Sequence, residues 1–422
     1  MILGRSRSAA SLPLAALPRP AARQPGDATA LAAAPGIASA DNTAAGTMAP
    51  AAIAPGTAAP DTTAPGAVAA GTVNAGTGAT GRRAAEAPLL ECQALRCELG
   101  PVARPVRVLH GIDLRLAPRR ALGIVGESGA GKSMLIKTVM GLQPAGARVG
   151  GRVVLGGTDL GALREDRRRA LLGRRVGMVF QNPMTSLNPF VRVGQQMEEA
   201  SRFHRGLNRA EARALAISLL RIVGIPDAEA CHRQYPHQFS GGMKQRIMIA
   251  TALACEPELL IADEATTALD VTVQREILDL LGRLQAERHM SMILVTHNLG
   301  IVAGRTDEVL VLYAGRVVEH GPTEAVFRRP RHRYTEALLA AMPRLDQPAH
   351  ARLRTIPGQP PNLVNPPAGC PFAPRCPAAE ARCHREMPPE TSEPTSDGVA
   401  HRFSCWVPVD RAAAPVLAEA LP

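Results

Sequence analysis

Gly126-Glu127-Ser128-Gly129-Ala130-Gly131-Lys132-Ser133 decides the fold. It has the form G-x-x-x-x-G-K-S, the spacing of a loop that cradles phosphate. Ala121-Leu122-Gly123-Ile124-Val125 before it is a short apolar run of strand type, and Met134, Leu135, Ile136 and Val139 after it open a helical spacing. A Gly-rich turn can match such a pattern by accident, and this strand-loop-helix context is what makes the match informative. Glycines let consecutive backbone N–H groups turn toward one anion at a helix N-terminus, where the helix dipole favours negative charge. Gly126, Ser128, Gly129 and Gly131 form the cradle, Lys132 reaches the β- and γ-phosphates, and the Ser133 hydroxyl can sit on Mg²⁺.

Outward from that stretch, apolar runs alternate with helical spacings. Leu89 to Leu99 and Val106 to Leu116 read as strands, the second alternating through Val108, Ile112, Leu114 and Leu116. Gly150 to Leu155, Val176 to Phe180, Leu259 to Ala262 and Met292 to Val295 add strands, and Val309–Leu312 with Arg316–Glu319 form a hairpin around Ala314-Gly315. Leu215, Leu219, Ile222 and Val223 mark the stretch from about Val191 to Gln238 as helical, and Met243–Leu253 and Val273–Arg288 are further helices. The expectation is an α/β fold around a largely parallel sheet, with one nucleotide domain because the core motifs do not repeat.

Composition sets the bounds. The chain has 422 residues, 46% of them hydrophobic, so two or three domains with a sizeable core fit. The formal charge of +11 is carried by arginine, the only lysines being Lys132, Lys137 and Lys244. Such a balance suits nucleic acid or an anionic membrane surface, but the charge is dispersed, as on any solvated arginine-rich face. No apolar run approaches the ~18–20 residues of a membrane span, so membrane association has to come through partners. Pro13, Pro18 and Pro20 interrupt any signal-peptide core, and export is not expected. Residues 1–87 are Ala, Gly, Pro and Thr with few large apolar side chains, which predicts a disordered tail.

Three further stretches carry chemistry. Leu259-Leu260-Ile261-Ala262-Asp263-Glu264 is an apolar strand ending in two carboxylates: Asp263 is placed to hold Mg²⁺, and Glu264 to polarise an attacking water. Phe239-Ser240-Gly241-Gly242-Met243 opens a helix with small residues, as an ordinary N-cap or as a second anion-facing loop. His297 follows the apolar run ending in Val295-Thr296, and Gln181 follows the run ending in Phe180.

In this order the chain resembles the ATP-binding subunits of ABC transporters. The resemblance makes Ser240, Gly241 and Gly242 the signature loop, Gln181 the Q-loop glutamine that contacts Mg²⁺ or water, Ala268-Leu269-Asp270 the D-loop, and His297 the switch histidine on the γ-phosphate. It narrows to the ATPases of oligopeptide, dipeptide and nickel uptake through Phe180-Gln181-Asn182-Pro183-Met184-Thr185-Ser186-Leu187-Asn188-Pro189, Arg333-Tyr334-Thr335-Glu336-Ala337-Leu338-Leu339 and Ile356-Pro357-Gly358, covering about Leu89 to Trp406. It implies an ATPase domain over residues 88–325 with a helical signature subdomain at about 190–250, and an extension over 326–422. It also implies ATP and Mg²⁺ as cofactors, hydrolysis coupled to peptide import at the cytoplasmic face of the inner membrane, and attachment as a peripheral subunit. The implied partners are a second ATPase subunit, identical or distinct, two permease subunits and an extracytoplasmic solute-binding protein, with no nucleic acid. A soluble ABC ATPase acting on nucleic acid or the ribosome shares the same motifs, but such proteins usually carry two fused cassettes or a coiled-coil insert, and neither is visible in this sequence.

Cys370, Cys376, Cys383 and Cys405 have the spacing C-x5-C-x6-C-x21-C, too wide for paired zinc knuckles. Similar cysteines bind a 4Fe-4S cluster in some members of the uptake group, while zinc, free thiols and disulfides stay open. The resemblance has three departures. Leu99 stands where the family usually stacks an aromatic ring on adenine, Ala265 replaces the proline after the catalytic glutamate, and Asn298 replaces the acid after the switch histidine.

Overall fold

The structure is a computed structural model, and it describes residues 87–266, 269–342, 354–395 and 398–410. These belong to one unit, 79–422. The tail expected over 1–87 lies outside the described residues but for its last one.

The chain enters through β1 (Leu90–Leu99) and β2 (Val106–Leu116), an antiparallel pair, and passes into β3 (Ala121–Val125), whose five residues are all buried. The phosphate loop leads to α1 (Lys132–Val139), and β4 (Arg148–Leu155) returns beside β1, with β5 (Thr158–Asp159) at its edge. Then α2 (Glu165–Arg175) delivers the chain to β6 (Val176–Val179). No element is readable at α2 from apolar spacing, because Leu172 is its only buried residue. Its order matches its charges instead, with Glu165 and Asp166 in the first turn and Arg174 and Arg175 in the last, as the helix dipole favours.

Between β6 and the next strand the chain is helical: α3 (Pro183–Ser186) precedes the stretch read as helix, α4 (Val193–Arg205), α5 (Arg209–Ile222) and α6 (Ala228–Arg233) fall within it, and α7 (Gly241–Ala252) follows. Asn208 and Glu211 close a capping box at the start of α5. Strands resume with β7 (Leu259–Asp263), followed by α8 (Val271–Glu287), β8 (Ser291–Thr296), α9 (Leu299–Val302) and the hairpin β9 (Glu308–Tyr313) and β10 (Arg316–Pro322). The C-terminal part adds α10 (Thr323–Arg328), α11 (Arg333–Ala340), α12 (Ala381–Arg385), β11 (Thr391–Glu393) and β12 (His401–Phe403).

Two sheets result: a small antiparallel one in the order β2-β1-β4-β5, and a mixed one in the order β11-β12-β10-β9-β3-β8-β7-β6. From β9 to β6 the large sheet is parallel; β10, β12 and β11 extend it antiparallel. Strands β3, β7 and β8 read as unbroken apolar runs because both their faces are covered. Their side chains alternate between two cores: Leu122, Ile124, Leu259 and Ile261 face the small sheet and α1, whereas Val125, Leu260 and Ala262 join the helices and the C-terminal part. The alternation expected along β2 is out of step by one residue. Leu109 is buried and Val108 is not, although Ile112, Leu114 and Leu116 are, because the β1–β2 register shifts near Gly111, which has φ +86°.

Candidate functional site

The phosphate loop runs from the C-terminal end of β3 into α1. Its first glycine is forced by packing as well as conformation: Gly126 has φ +155°, and a Cβ there would lie 2.2 Å from the Leu312 carbonyl oxygen of β9. Gly131 caps α1 with φ +104°. Lys132 is buried, and its ammonium donates to the carbonyls of Gly126 (2.8 Å) and Glu127 (3.1 Å). Burial lowers its pKa, opposed by the nearby Glu264 carboxylate. Ser133 Oγ donates to Asp263 Oδ1 at 3.2 Å, joining the start of α1 to the end of β7. Burial raises the Asp263 pKa, with the Ser133 hydrogen bond acting against it.

Glu264 sits immediately past β7 with φ +47°, in the left-handed region that L residues seldom occupy. Its N–H donates to the Val295 carbonyl of β8 (3.0 Å), and the bend turns its carboxylate inward. There Gln181 Nε2 donates to Oε2 (2.7 Å), Lys132 Nζ lies 3.5 Å from Oε1, and His297 Nδ1 lies 3.6 Å from the same oxygen. Five residues expected from scattered stretches, Lys132, Ser133, Gln181, Asp263 and Glu264, thus form one connected group, with His297 half-exposed at its edge. An open cleft of ≈ 450 Å³ lies above them, lined also by Ser128, Gly129 and Gly131. A hydroxyl and a carboxylate oxygen bonded together, as in Ser133 and Asp263, are the hard oxygen donors Mg²⁺ takes, so the residues fit that ion.

Ser240, Gly241 and Gly242 are elsewhere. Ser240 caps α7, its Oγ accepting from Met243 N (3.3 Å), and Gly242 packs where a Cβ would meet Val273 of α8 at 2.8 Å. Ser240 and Gly241 are exposed, and none of the three lines the cleft over Lys132. Leu269 and Asp270 of the expected D-loop lie beside them, Asp270 capping α8; Ala268 lies outside the described residues. Asn298 has a role of its own as the cap of α9, accepting from Gly300 N at 2.9 Å, and Ala265 is buried. Leu99 does not line the cleft either. It packs on the core beneath β1, and Val108 of β2 lines the cleft instead.

Sequence reading missed a set of residues that hold the loop from behind. Arg375 donates through Nη1 to Glu127 Oε2 (2.6 Å) and through Nη2 to Glu127 Oε1 (2.9 Å), a bidentate pair on the second residue of the phosphate loop. Its Nε donates to the Pro357 carbonyl (2.8 Å) and its Nη1 to Tyr313 Oη (3.2 Å). Glu127 N donates to Tyr334 Oη at 2.8 Å. One local signal pointed this way, a tyrosine at Tyr334 in a chain with three; nothing marks Arg375 among the many arginines.

Cys370, Cys376, Cys383 and Cys405 do converge: all four line one cavity, and none is in a disulfide. Burial pushes the Cys370 thiol up to about 11 and raises those of Cys376 and Cys405. The donor set suits a thiolate-bound metal. The cavity they line, with Phe372 and Trp406, is small, ≈ 10 Å³, the room of about one water. Among the described residues no group of three or more His, Cys, Asp or Glu is arranged to hold a metal ion. The four cysteines expected to hold a 4Fe-4S cluster thus share one cavity, and the described residues carry no further support for a cluster.

Comparison with known proteins follows the same division. The ABC transporter family matches residues 109–267, and the oligopeptide/dipeptide transporter C-terminal region matches 318–383. The oligopeptide transport ATP-binding protein OppD of Salmonella typhimurium is 45% identical over 322 residues, 76% of this chain and 94% of that protein. The dipeptide transport ATP-binding protein DppD of Bacillus subtilis is 44% identical over 331 residues, 78% of this chain and 97% of the relative. Among solved structures, the dimeric structure of MJ0796, a bacterial ABC transporter cassette, superposes with a TM-score of 0.50 at 25% identity, covering 56% of this chain and 98% of that one. The chain belongs to the ABC transporter family, in the group that carries the oligopeptide/dipeptide transporter C-terminal region.

Proposed function

We propose that the chain is the ATP-hydrolysing subunit of an importer for di- or oligopeptides. The observation that carries this is the joined group Lys132, Ser133, Gln181, Asp263 and Glu264 at the mouth of the phosphate loop. Relatives named for oligopeptide and dipeptide transport, aligned over most of their length, support the solute class. In this reading the ATPase domain spans 88–325, with its helical subdomain at about 190–250, and the extension spans 326–422.

The chemistry follows from the residues. Loop N–H groups and the Lys132 ammonium receive the phosphates, the ammonium giving up the carbonyls of Gly126 and Glu127. Ser133, Asp263 and Gln181 would hold Mg²⁺, which neutralises charge on the phosphates. Glu264 orients and deprotonates the attacking water, and His297 stands at the cleft edge for the γ-phosphate. The Ser240–Gly242 loop, outside its own cleft, is free to serve the nucleotide of a second ATPase subunit facing it head to tail, identical or distinct. The dimeric cassette MJ0796 is the precedent in solved structures. Two permease subunits and a solute-binding protein complete the assembly, and the chain works at the cytoplasmic membrane face as a peripheral subunit; none of its described helices is long and apolar enough to cross a membrane. Nucleic acid has no part in it.

The finer reading of the cysteines is that they take up a 4Fe-4S cluster; support comes from their common cavity and free thiols. A brown colour with broad visible absorption in anaerobic preparations is the expected result, and colourless, iron-free protein refutes it. For the main reading, Glu264→Gln should bind ATP and lose about 10²–10⁴-fold of the hydrolysis rate. Full activity in that variant overturns the assignment. Co-purification with permease subunits, rather than retention on nucleic acid, tests the partners.

A further inference from the structure

The cleft over the phosphate loop has an apolar part that the first strand does not build. Its apolar lining is Val108, Met134 and Leu363, and Leu99 is absent from it. Val108 is there because the register shift in β2 turns it out of the core. Leu363 comes from the C-terminal part, 231 positions beyond Lys132 in the numbering, and is half-buried.

The segment that carries Leu363 is held to the loop at several points. One guanidinium, Arg375, grips the Glu127 carboxylate and the Pro357 carbonyl together. Pro360, Pro361 and Leu363 close on Glu127, Ser128 and Gly129 in a second small cavity. Two consecutive prolines stiffen the approach, and the Asn362 side chain accepts from Val364 N at 2.8 Å, fixing the turn at Leu363.

We propose that Leu363, with Val108, seats the nucleobase, so that the C-terminal extension supplies the base-binding surface missing from β1. This rests on the ATP-hydrolysing reading and deepens it. With phosphates on Lys132 and the loop, the base is the part of the ligand with apolar faces to bury, and the aliphatic pair lines the cleft that receives it. The contact is dispersion and desolvation without a stacked ring.

Titrations of the full chain with ATP and with inorganic tripolyphosphate, which has no base, test the assignment. Leu363→Ala should weaken ATP binding about 5–10-fold and leave tripolyphosphate unchanged. Leu363→Met should restore most of the loss, and Leu363→Trp, which offers a ring, should bind ATP more tightly than wild type, a gain that misfolding cannot produce. Unchanged ATP binding in Leu363→Ala, or equal weakening of both ligands, overturns the assignment while leaving the ATPase reading in place. Lys132→Ala should lose both ligands; failure of the wild-type chain to bind ATP overturns the reading and the assignment together.

Discussion

Replacing Arg375 by methionine removes the guanidinium that joins the extension to the phosphate loop while keeping most of the side chain's apolar bulk. Arg375 is 4% exposed and its partner Glu127 is 26% exposed, so the two single variants should differ. Arg375→Met leaves a carboxylate that water can reach, and should cost about 2–4 kcal/mol, the loss of two charge-assisted bonds net of that solvation. Glu127→Gln leaves a guanidinium with little access to water, and should cost about 3–5 kcal/mol. The double variant should fall short of the sum by about 2 kcal/mol, since each change removes the same contact. Thermal midpoints of the nucleotide-free protein should drop by about 4–8 °C for Arg375→Met. Because Arg375 also holds the Pro357 carbonyl, ATP affinity should fall with stability. Additive single effects would refute the reasoning, as would an Arg375→Met protein that melts and binds ATP like wild type.

Two further predictions concern stability alone. His110, half-buried beside Arg316 and Arg107, has its pKa lowered to about 4, burial being the larger cause. A histidine depressed below its unfolded value of about 6.5 contributes stability that is complete above that pH and is lost as pH falls toward 4, so about 1–2 kcal/mol should disappear between pH 7 and 5. His110→Gln should flatten that part of the profile in urea unfolding, and an unchanged slope would count against it. Glu319 of β10 is fully buried and accepts from Arg331 N (2.6 Å), His332 N (2.9 Å) and His401 Nε2 (2.7 Å), holding the extension to the sheet. Glu319→Ala should cost about 3–5 kcal/mol by stranding these donors; a urea midpoint within error of wild type would show the contacts to be dispensable.

The group gathered at the phosphate loop was legible because its members border elements that announce themselves. Lys132 follows a glycine loop, Asp263 and Glu264 end an apolar strand, and Gln181 and His297 do the same. Strands buried on both faces read plainly as strands, and in a parallel sheet their C-terminal ends gather at one edge. What depended on long-range pairing was not legible. Arg375 is one arginine among many until the fold brings it to Glu127. Helix α2 shows no apolar stripe because most of it faces solvent. The β2 alternation failed at Val108 because a bulge shifts the register, and no local residue type specifies which side chain it turns out. The four cysteines line one cavity, and their spacing in the sequence carries no information on how their sulfurs are arranged there.

The clamp between Glu127 and Arg375 spans 248 positions of the chain. On a ribosome the phosphate loop emerges long before the arginine that fixes it, at rates of about 5–20 residues per second. The loop and the wall that faces it are thus completed only after Leu363 and Arg375 have been made. A nascent chain that already holds Lys132, Asp263 and Glu264 still lacks the brace of their site, so the phosphate loop is clamped only after Arg375 has been made and has folded back onto it.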